Sequence, residues 1–359
     1  MFTDTIFQSL LKIAQGEGRS QYFKDITYFR SMHQIFPPMK TRAIDSVTEL
    51  LAHLDLDQNN APYAILSRPG YPILVPHSYV QRMRKNDWFD PLLLQILPRS
   101  EEDIKKPEFQ KDAVGDAAAL VAPGVLHKYA TRVLLLVSSV CAMHCRFCFR
   151  RGYPFAKPPA TVKEWLPAWQ YIEDHGTVDE IILSGGDPFC LEFDYLDELL
   201  RRTAEIPHVR IVRIHTRVPV ADPVRVSNAV FEALARVAAV KTCIVVIHAN
   251  HAAELAGKSV SCCLSRLRAT GAIILNQSVL LADVNDTVVS QQELLKRLVD
   301  NKVMPYYLHQ LDRVDGAWHF EVEEGRGRAI INHLRINLPG YAVPRYVREK
   351  SGEKSKTPL

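Results

Sequence analysis

Between residues 132 and 308 the chain switches six times from a short β-rich run to a stretch whose apolar residues recur at helical spacing. The runs cover 132–137, 180–183, 210–214, 243–247, 272–275 and 304–308. Behind Phe193, for example, Leu196, Leu199 and Leu200 mark one helix face; Val226, Val230, Leu234 and Val237 mark another. Asp222-Pro223 reads as an N-cap with Pro at the first helical position, and 291–298 and 328–334 read as further helices. Strands joined by helices must pair in parallel, which gives a barrel or an open wound sheet. Six units fall short of an eight-fold barrel. The pattern therefore predicts an α/β fold, a partial (β/α)6 TIM-like barrel over 126–340. A mostly helical extension is expected over 1–125, with helical text at 50–54 and 79–97 broken at Asp90-Pro91. Residues 1–45 have only weak periodicity, Arg99–Pro107 is a charged connector, and 341–359 form a short C-terminal tail.

In β/α barrels the loops after the strands build the active site. Six unusual clusters stand at these positions: three cysteines in Cys141-Ala-Met-His-Cys145-Arg-Phe-Cys148, then Ser184-Gly-Gly-Asp187, His215-Thr-Arg217, His248, Asn276-Gln277 and His309-Gln310. All six are expected on one rim. Three thiolates from one loop can hold three irons of a four-iron, four-sulfur cluster and leave the fourth open to a small molecule, whereas electron-transfer clusters and structural zinc use four protein ligands. Buried core cysteines or a zinc site with a distant fourth ligand are the alternative readings, with Cys190, Cys243, Cys262 and Cys263 as the spare thiols.

The 359 residues carry 44 basic and 40 acidic side chains, a net charge of +4 that is too balanced to argue for a nucleic-acid partner, and none is expected. No apolar run reaches membrane-spanning length, and the first residues lack a secretory pattern. Seven cysteines in such a chain read as thiols or metal ligands, and the cytoplasm is the expected location.

The cysteine loop after the first barrel strand resembles the radical S-adenosylmethionine (SAM) superfamily, with Phe147 as the aromatic neighbour near the adenine and Gly185-Gly186-Asp187 as the glycine motif that holds the methionine end. The resemblance narrows to the lysine 2,3-aminomutase family through His127-Lys-Tyr-Ala-Thr-Arg132, Cys148-Phe-Arg150-Arg151, Asn276-Gln-Ser-Val-Leu-Leu281, Val284-Asn-Asp286 and Pro305-Tyr-Tyr-Leu308. It is closest to the short branch acting on elongation factor P, and runs from about residue 60 to the C-terminus. It implies a [4Fe-4S] cluster on Cys141, Cys145 and Cys148, with SAM at the open iron. It also implies pyridoxal 5′-phosphate (PLP) on Lys356, with Lys354 and Lys350 as fallbacks. Arg132 is the implied phosphate ligand, near Lys128 and Tyr129. Arg150, or Arg151 beside it, is the implied clamp on the substrate carboxylate. Asp286 and Glu349 are the implied acids for the side-chain ammonium. The implied reaction moves the amino group of L-lysine from C2 to C3. The product is expected to be (R)-β-lysine, passed to a ligase for elongation factor P. A reductant such as flavodoxin or ferredoxin is expected, and a homo-oligomer is compatible. Larger members hold a zinc with tail cysteines; no cysteine follows Cys263 here, which favours the elongation-factor branch over a catabolic or biosynthetic aminomutase. An iron–sulfur or zinc protein of the translation machinery is the non-enzyme alternative.

Overall fold

The computed structural model describes residues 43–151 and 158–359; the weakly periodic start, up to residue 42, lies outside the described residues. Two short strands, β1 (Ala43–Ile44) and β2 (Val75–Pro76), pair antiparallel ahead of the main sheet. The main sheet has ten strands in strict chain order. It begins with an antiparallel edge, β3 (Leu120–Ala122) and β4 (Val125–Tyr129). Six parallel strands follow: β5 (Arg132–Ser138), β6 (Glu180–Gly185), β7 (Ile211–Thr216), β8 (Thr242–His248), β9 (Ile273–Val279) and β10 (Met304–His309). A seventh parallel strand, β11 (Arg345–Arg348), lies beside β10, and β12 (Thr357–Pro358) closes the far edge antiparallel to it.

The six expected strands all form, and most run further than their apolar text. Hydrogen-bonded pairing continues through His215↔Val246, Thr216↔Ile247 and His248↔Gln277. Side chains alternate across a sheet. Val212 and Ile214, Val245 and Ile247, Ile181 and Leu183 enter the core beneath the helices. Their neighbours Arg213 and His215, His248, Ile182 and Ser184 face a common cavity instead. Because β5 to β10 all contribute to that one cavity, the sheet is curled around it, and its polar face is a lumen rather than a solvated surface.

Local chemistry sets the helices. Asp90 caps Pro91–Leu94 by accepting from the amides of Leu92 and Leu93 at 2.9 and 3.0 Å, with Pro at the first position. The text at 79–97 thus forms two short helices, His77–Val80 and Pro91–Leu94. Asp222 does stand at the N-cap position with Pro first, but of a single short turn, Pro223–Arg225, and without a side-chain cap bond; the apolar face at 226–237 belongs mostly to a separate helix, Asn228–Ala238, which begins behind Ser227, whose hydroxyl accepts from Val230 at 3.4 Å. The Asp222 carboxylate instead accepts from Ser78 at 3.2 Å.

Residues 41–359 form one compact unit. Within it the segment before the barrel has its own apolar core of Ile44, Leu50, Leu54, Tyr79, Leu92 and Ile96, which also takes in Met143 from the cysteine loop. Arg82 fastens this segment to the barrel loops by donating to the carbonyls of Val220 (2.7 Å), Ala221 (3.3 Å) and Glu254. Among the described residues no helix is long and apolar enough to cross a membrane. Arg82→Ala leaves those carbonyls without their donor and should lower stability by about 3 kcal/mol, the scale of charged hydrogen bonds; the urea midpoint of the purified protein reads the loss.

Candidate active site

The cysteine loop leaves β5 and is gripped from two sides. On the barrel side the amide of Gly186 donates to Ser138 O at 2.6 Å and that of Asp187 to Val140 O at 2.8 Å. This approach requires glycine: a Cβ on Gly186 would stand 2.4 Å from Val140 O, and one on Gly185, whose φ is +114°, 2.5 Å from Ser138 O. On the other side the amides of His144 and Arg146 donate to Leu74 O and Gln95 O at 2.9 and 3.0 Å. The buried Arg146 guanidinium pairs with Glu102 (Nε to Oε1, 2.7 Å) and donates to Tyr71 O at 2.9 Å. Held in this way, Cys141, Cys145 and Cys148 all line the lumen.

The donor set fits a cluster better than a single ion. No fourth cysteine among the described residues lines the cavity, so the closed set of four ligands that structural zinc takes is not offered from thiols alone. Burial raises all three thiol pKa values, that of Cys148 to about 11, so the thiolate ligands depend on the positive charge of bound iron. Above the loop, Phe147 faces His248 with ring centroids 5.7 Å apart and planes inclined by 23°. His248 Nε2 and His215 Nε2 are buried without a hydrogen-bond partner. Burial, reinforced by nearby cations, keeps both rings neutral, with His248 held at about 3.

Asp187 has a different part from a direct ligand to an ammonium. Its Oδ1 accepts from Thr216 Oγ1 (2.7 Å) and Phe189 N (3.0 Å), and its Oδ2 from Arg217 N (2.6 Å) and Val218 N (3.2 Å). Two oxygens offer about four lone-pair positions, and all are filled from within the protein. The Asp187 carboxylate ties the end of β6 to the end of β7 and the residues after it, and the Ser184–Gly186 backbone beside it lines the cavity.

The other half of the lumen is charged. β11 and β12 form a hairpin with Val347↔Pro358 and Arg348↔Thr357 in register, which sets Lys356 opposite Glu349. Lys356 Nζ donates to Glu349 Oε2, and Tyr129 Oη donates to Oε1 of the same carboxylate at 2.7 Å. Lys128 pairs with Asp116 at 2.6 Å, and Arg150 meets the same acid at 3.0 Å. Burial pushes Glu349 and Asp116 up, but their cationic partners outweigh it and hold both below the usual carboxylate range. Arg132 lies over the Tyr129 ring at 4.2 Å and, among the described residues, has no carboxylate partner. A cavity-facing guanidinium of this kind fits a phosphate, and the adjacent lysine fits an aldehyde.

Lys128, Tyr129, Arg132, Arg150, Glu349 and Lys356 therefore share one cavity with the cysteines and Gly185, Gly186 and Asp187. Lys350 and Lys354 are exposed and do not line it. Arg151 is engaged elsewhere, by Glu102 and the carbonyls of Arg146 and Gly316, which leaves Arg150 as the member of the pair that faces the lumen. Asp286 also lies apart: Arg326 pairs with its carboxylate at 2.9 Å and donates to its carbonyl at 2.9 Å. A further carboxylate at the cavity, which the motifs did not single out, is Asp312. It lines the cavity, and burial pushes its pKa up to about 7, with Lys356 pulling it down and Glu349 pushing it up. It follows the sixth rim cluster, His309-Gln310, by two residues, and that adjacency was its signal in the sequence.

The radical SAM superfamily pattern matches residues 135–251, from β5 to just beyond β8. With three cysteines and the glycine edge facing one lumen, this is a radical SAM domain, a class that uses a four-iron cluster and SAM. The chain is 41% identical to the L-lysine 2,3-aminomutase of Escherichia coli (strain K12) over 89% of its own length and 93% of that relative. The enzyme of the same description from Buchnera aphidicola subsp. Baizongia pistaciae is 36% identical over 88% and 92% of the two chains, and that of Clostridium subterminale 32% over 88% and 75%. The chain belongs to the L-lysine 2,3-aminomutase family of radical SAM isomerases.

Gly186→Ala forces the cysteine loop away from β6. It should destabilise the protein by about 3 kcal/mol, the cost of overpacking, and reduce iron bound after anaerobic reconstitution; full iron loading at an unchanged melting temperature would contradict the clamp. Asp312 carries a pH signature. Between its ordinary value of about 4 and about 7, the folded protein keeps a proton that the unfolded chain has released. Its contribution to stability is therefore lost as pH rises through that window. Asp312→Asn should gain stability relative to the parent as the pH goes from 5 to 8, read as the difference in melting temperature at each pH.

Proposed function

We propose that this protein is a PLP-dependent L-lysine 2,3-aminomutase whose product, β-lysine, is attached to elongation factor P. The observation that carries the reading is the meeting of Lys356, a guanidinium free of carboxylate partners at Arg132, and three cysteines in one lumen. When bound, the cluster and SAM supply hydrogen abstraction, and PLP supplies the linkage through which the amino group moves from C2 to C3.

The chain's own groups bind and aim. Arg132 holds the phosphate, with Lys128 and Tyr129 beside it. Glu349 stays ionised and fixes Lys356 Nζ through a contact that Tyr129 steadies from the other oxygen. Arg150, oriented by Asp116, takes the substrate carboxylate. Asp312 takes the side-chain ammonium, with Glu349 as the second acid on that side of the lumen. A cation arriving beside Asp312 favours its ionised form, so burial that disfavours the empty carboxylate becomes selectivity for a cationic side chain. Glutamate would set a second anion against the same group. Neutral His215 and His248 add no competing charge. Phe147 and the apolar wall around it keep water from the reacting atoms.

The elongation-factor destination rests on the resemblance of the chain's motifs to the short branch of the family. The chain matches 93% of the E. coli relative but 75% of the clostridial one. A flavodoxin or ferredoxin is the proposed electron donor.

Reconstituted protein given L-lysine, SAM, PLP and dithionite should form β-lysine, with glutamate and ornithine as poor competitors; recovery of α-lysine alone would refute the reading. Borohydride treatment of the PLP-loaded protein should fix the pyridoxal on the peptide containing Lys356, and Lys356→Ala should lose that label while keeping its iron. Asp312→Asn should raise the lysine KM at least tenfold. For the destination, elongation factor P and its lysine ligase should use the enzymatic product in preference to α-lysine; equal use would remove the link.

A further inference from the structure

Arg217 is a buried cation placed against a cluster ligand. Its Nη1 donates to Cys145 Sγ at 2.6 Å. Its Nη2 donates to Glu254 Oε2 and Gln95 Oε1, each at 2.7 Å. Its backbone amide is fixed by Asp187 at 2.6 Å. The groups that hold it are themselves held. Glu254 is fully buried, and its Oε1 accepts from the amides of Asn250 (2.8 Å) and His251 (3.0 Å) and from Gln95 Nε2 (3.2 Å). Gln95 Oε1 also receives Asn250 Nδ2 at 2.9 Å. The guanidinium thus has Glu254, Gln95 and, at 3.5 Å, Tyr79 Oη as acceptors on one nitrogen and the cysteine sulfur on the other. Stability alone does not explain this placement, because burying an arginine costs desolvation even when it is paired, and Cys145 Sγ is a weak acceptor until it is ionised by iron.

We propose that Arg217, aimed by Glu254 and Gln95, raises the reduction potential of the cluster through a charge-assisted hydrogen bond to the Cys145 thiolate. Hydrogen bonds to ligand sulfurs draw electron density from the iron and stabilise the reduced state, and partners outside the ligand set tune a metal in this way. Arg217 is a positioning and tuning residue and takes no part in the chemistry on lysine. Gln95 belongs to the segment ahead of the barrel, so that segment has a stake in the electronics of the site as well as in packing. The inference rests on the cluster reading of the three cysteines.

The test is anaerobic redox titration of the reconstituted holoenzyme, with iron and sulfide counted for each sample. Arg217→Gln should shift the cluster potential to more negative values, and the iron–cysteine stretch seen by resonance Raman should move to higher frequency as the sulfur loses its donor. Arg217→Lys keeps the charge with a shorter reach and should give a smaller shift of the same sign; it carries the test if the glutamine variant fails to assemble a cluster. A loaded cluster with unchanged potential and unchanged vibrational bands in Arg217→Lys and Arg217→Gln would overturn the proposal. Absence of any cluster from the parent protein would instead overturn the radical SAM reading beneath it.

Discussion

The Asp187 carboxylate, with every lone-pair position filled by a donor from its own protein, is the contact on which the site is built. Its four hydrogen bonds join the end of β6 to the first residues after β7. The amide of the same residue holds Val140 at the start of the cysteine loop. One residue, through its side chain and its amide, therefore sets the spacing between three strand ends. Burial raises the pKa of this acid, and the four donors oppose that rise without cancelling it. Removing any of them leaves a polar group in a place water does not reach, so the geometry is over-determined. The cysteine loop is aimed because the strand ends are, and Arg217 meets Cys145 because its own backbone hangs from Asp187.

The lumen is organised by a second principle, the alternation of charge. Lys356, Glu349, Lys128, Asp116 and Arg150 follow one another as cation and anion. Each acid in this chain is held ionised by a cation on either side, and each cation has a fixed direction. Arg132 and Asp312 stand outside the pairing. One is a cation that faces the cavity with no acid partner among the described residues, and the other an acid that burial pushes toward neutrality. On the proposed reading, a ligand with a phosphate at one end and an ammonium at the other would complete both. The unpaired charges thereby mark where ligand charge of the opposite sign belongs, while the paired ones mark the walls.

The barrel was legible because a buried parallel strand must be apolar on both faces for most of its length. Val133 to Val137 and Cys243 to Ile247 satisfy that rule without help from their neighbours. The strand ends were less legible, since His215, His248 and His309 interrupt the apolar text just where pairing continues and the side chains turn into the lumen. The antiparallel edges were invisible for another reason. Leu120–Ala122 and Thr357–Pro358 are three and two residues long, too short for any period to show, and they exist because an adjacent strand offers a free edge. The tail hairpin follows from that pairing, and with it the position of Lys356, which local sequence alone would leave to solvent.

Among the site residues, those named through the cysteine and Lys-Tyr-x-x-Arg motifs came together in one cavity, whereas Asp286 did not, and the contrast is instructive. Val284-Asn-Asp286 follows β9 closely, but the chain turns outward there. Asn285 is wholly buried, donating to the carbonyls of Asn250 and Val279 at 2.9 and 2.8 Å. With Asn285 pointing inward as the structural residue, its neighbour Asp286 is left to Arg326. Motif adjacency placed the pair just after β9, but neither side chain lines the cavity. Asp312 has the opposite history. It sits in a loop with no recognisable pattern, yet the strand before it delivers His309 to the lumen, and the next turn brings a carboxylate over the same opening. In a curled parallel sheet the rim is read by where each strand ends and how the first turn after it bends, and only the first of these is written plainly in the residues.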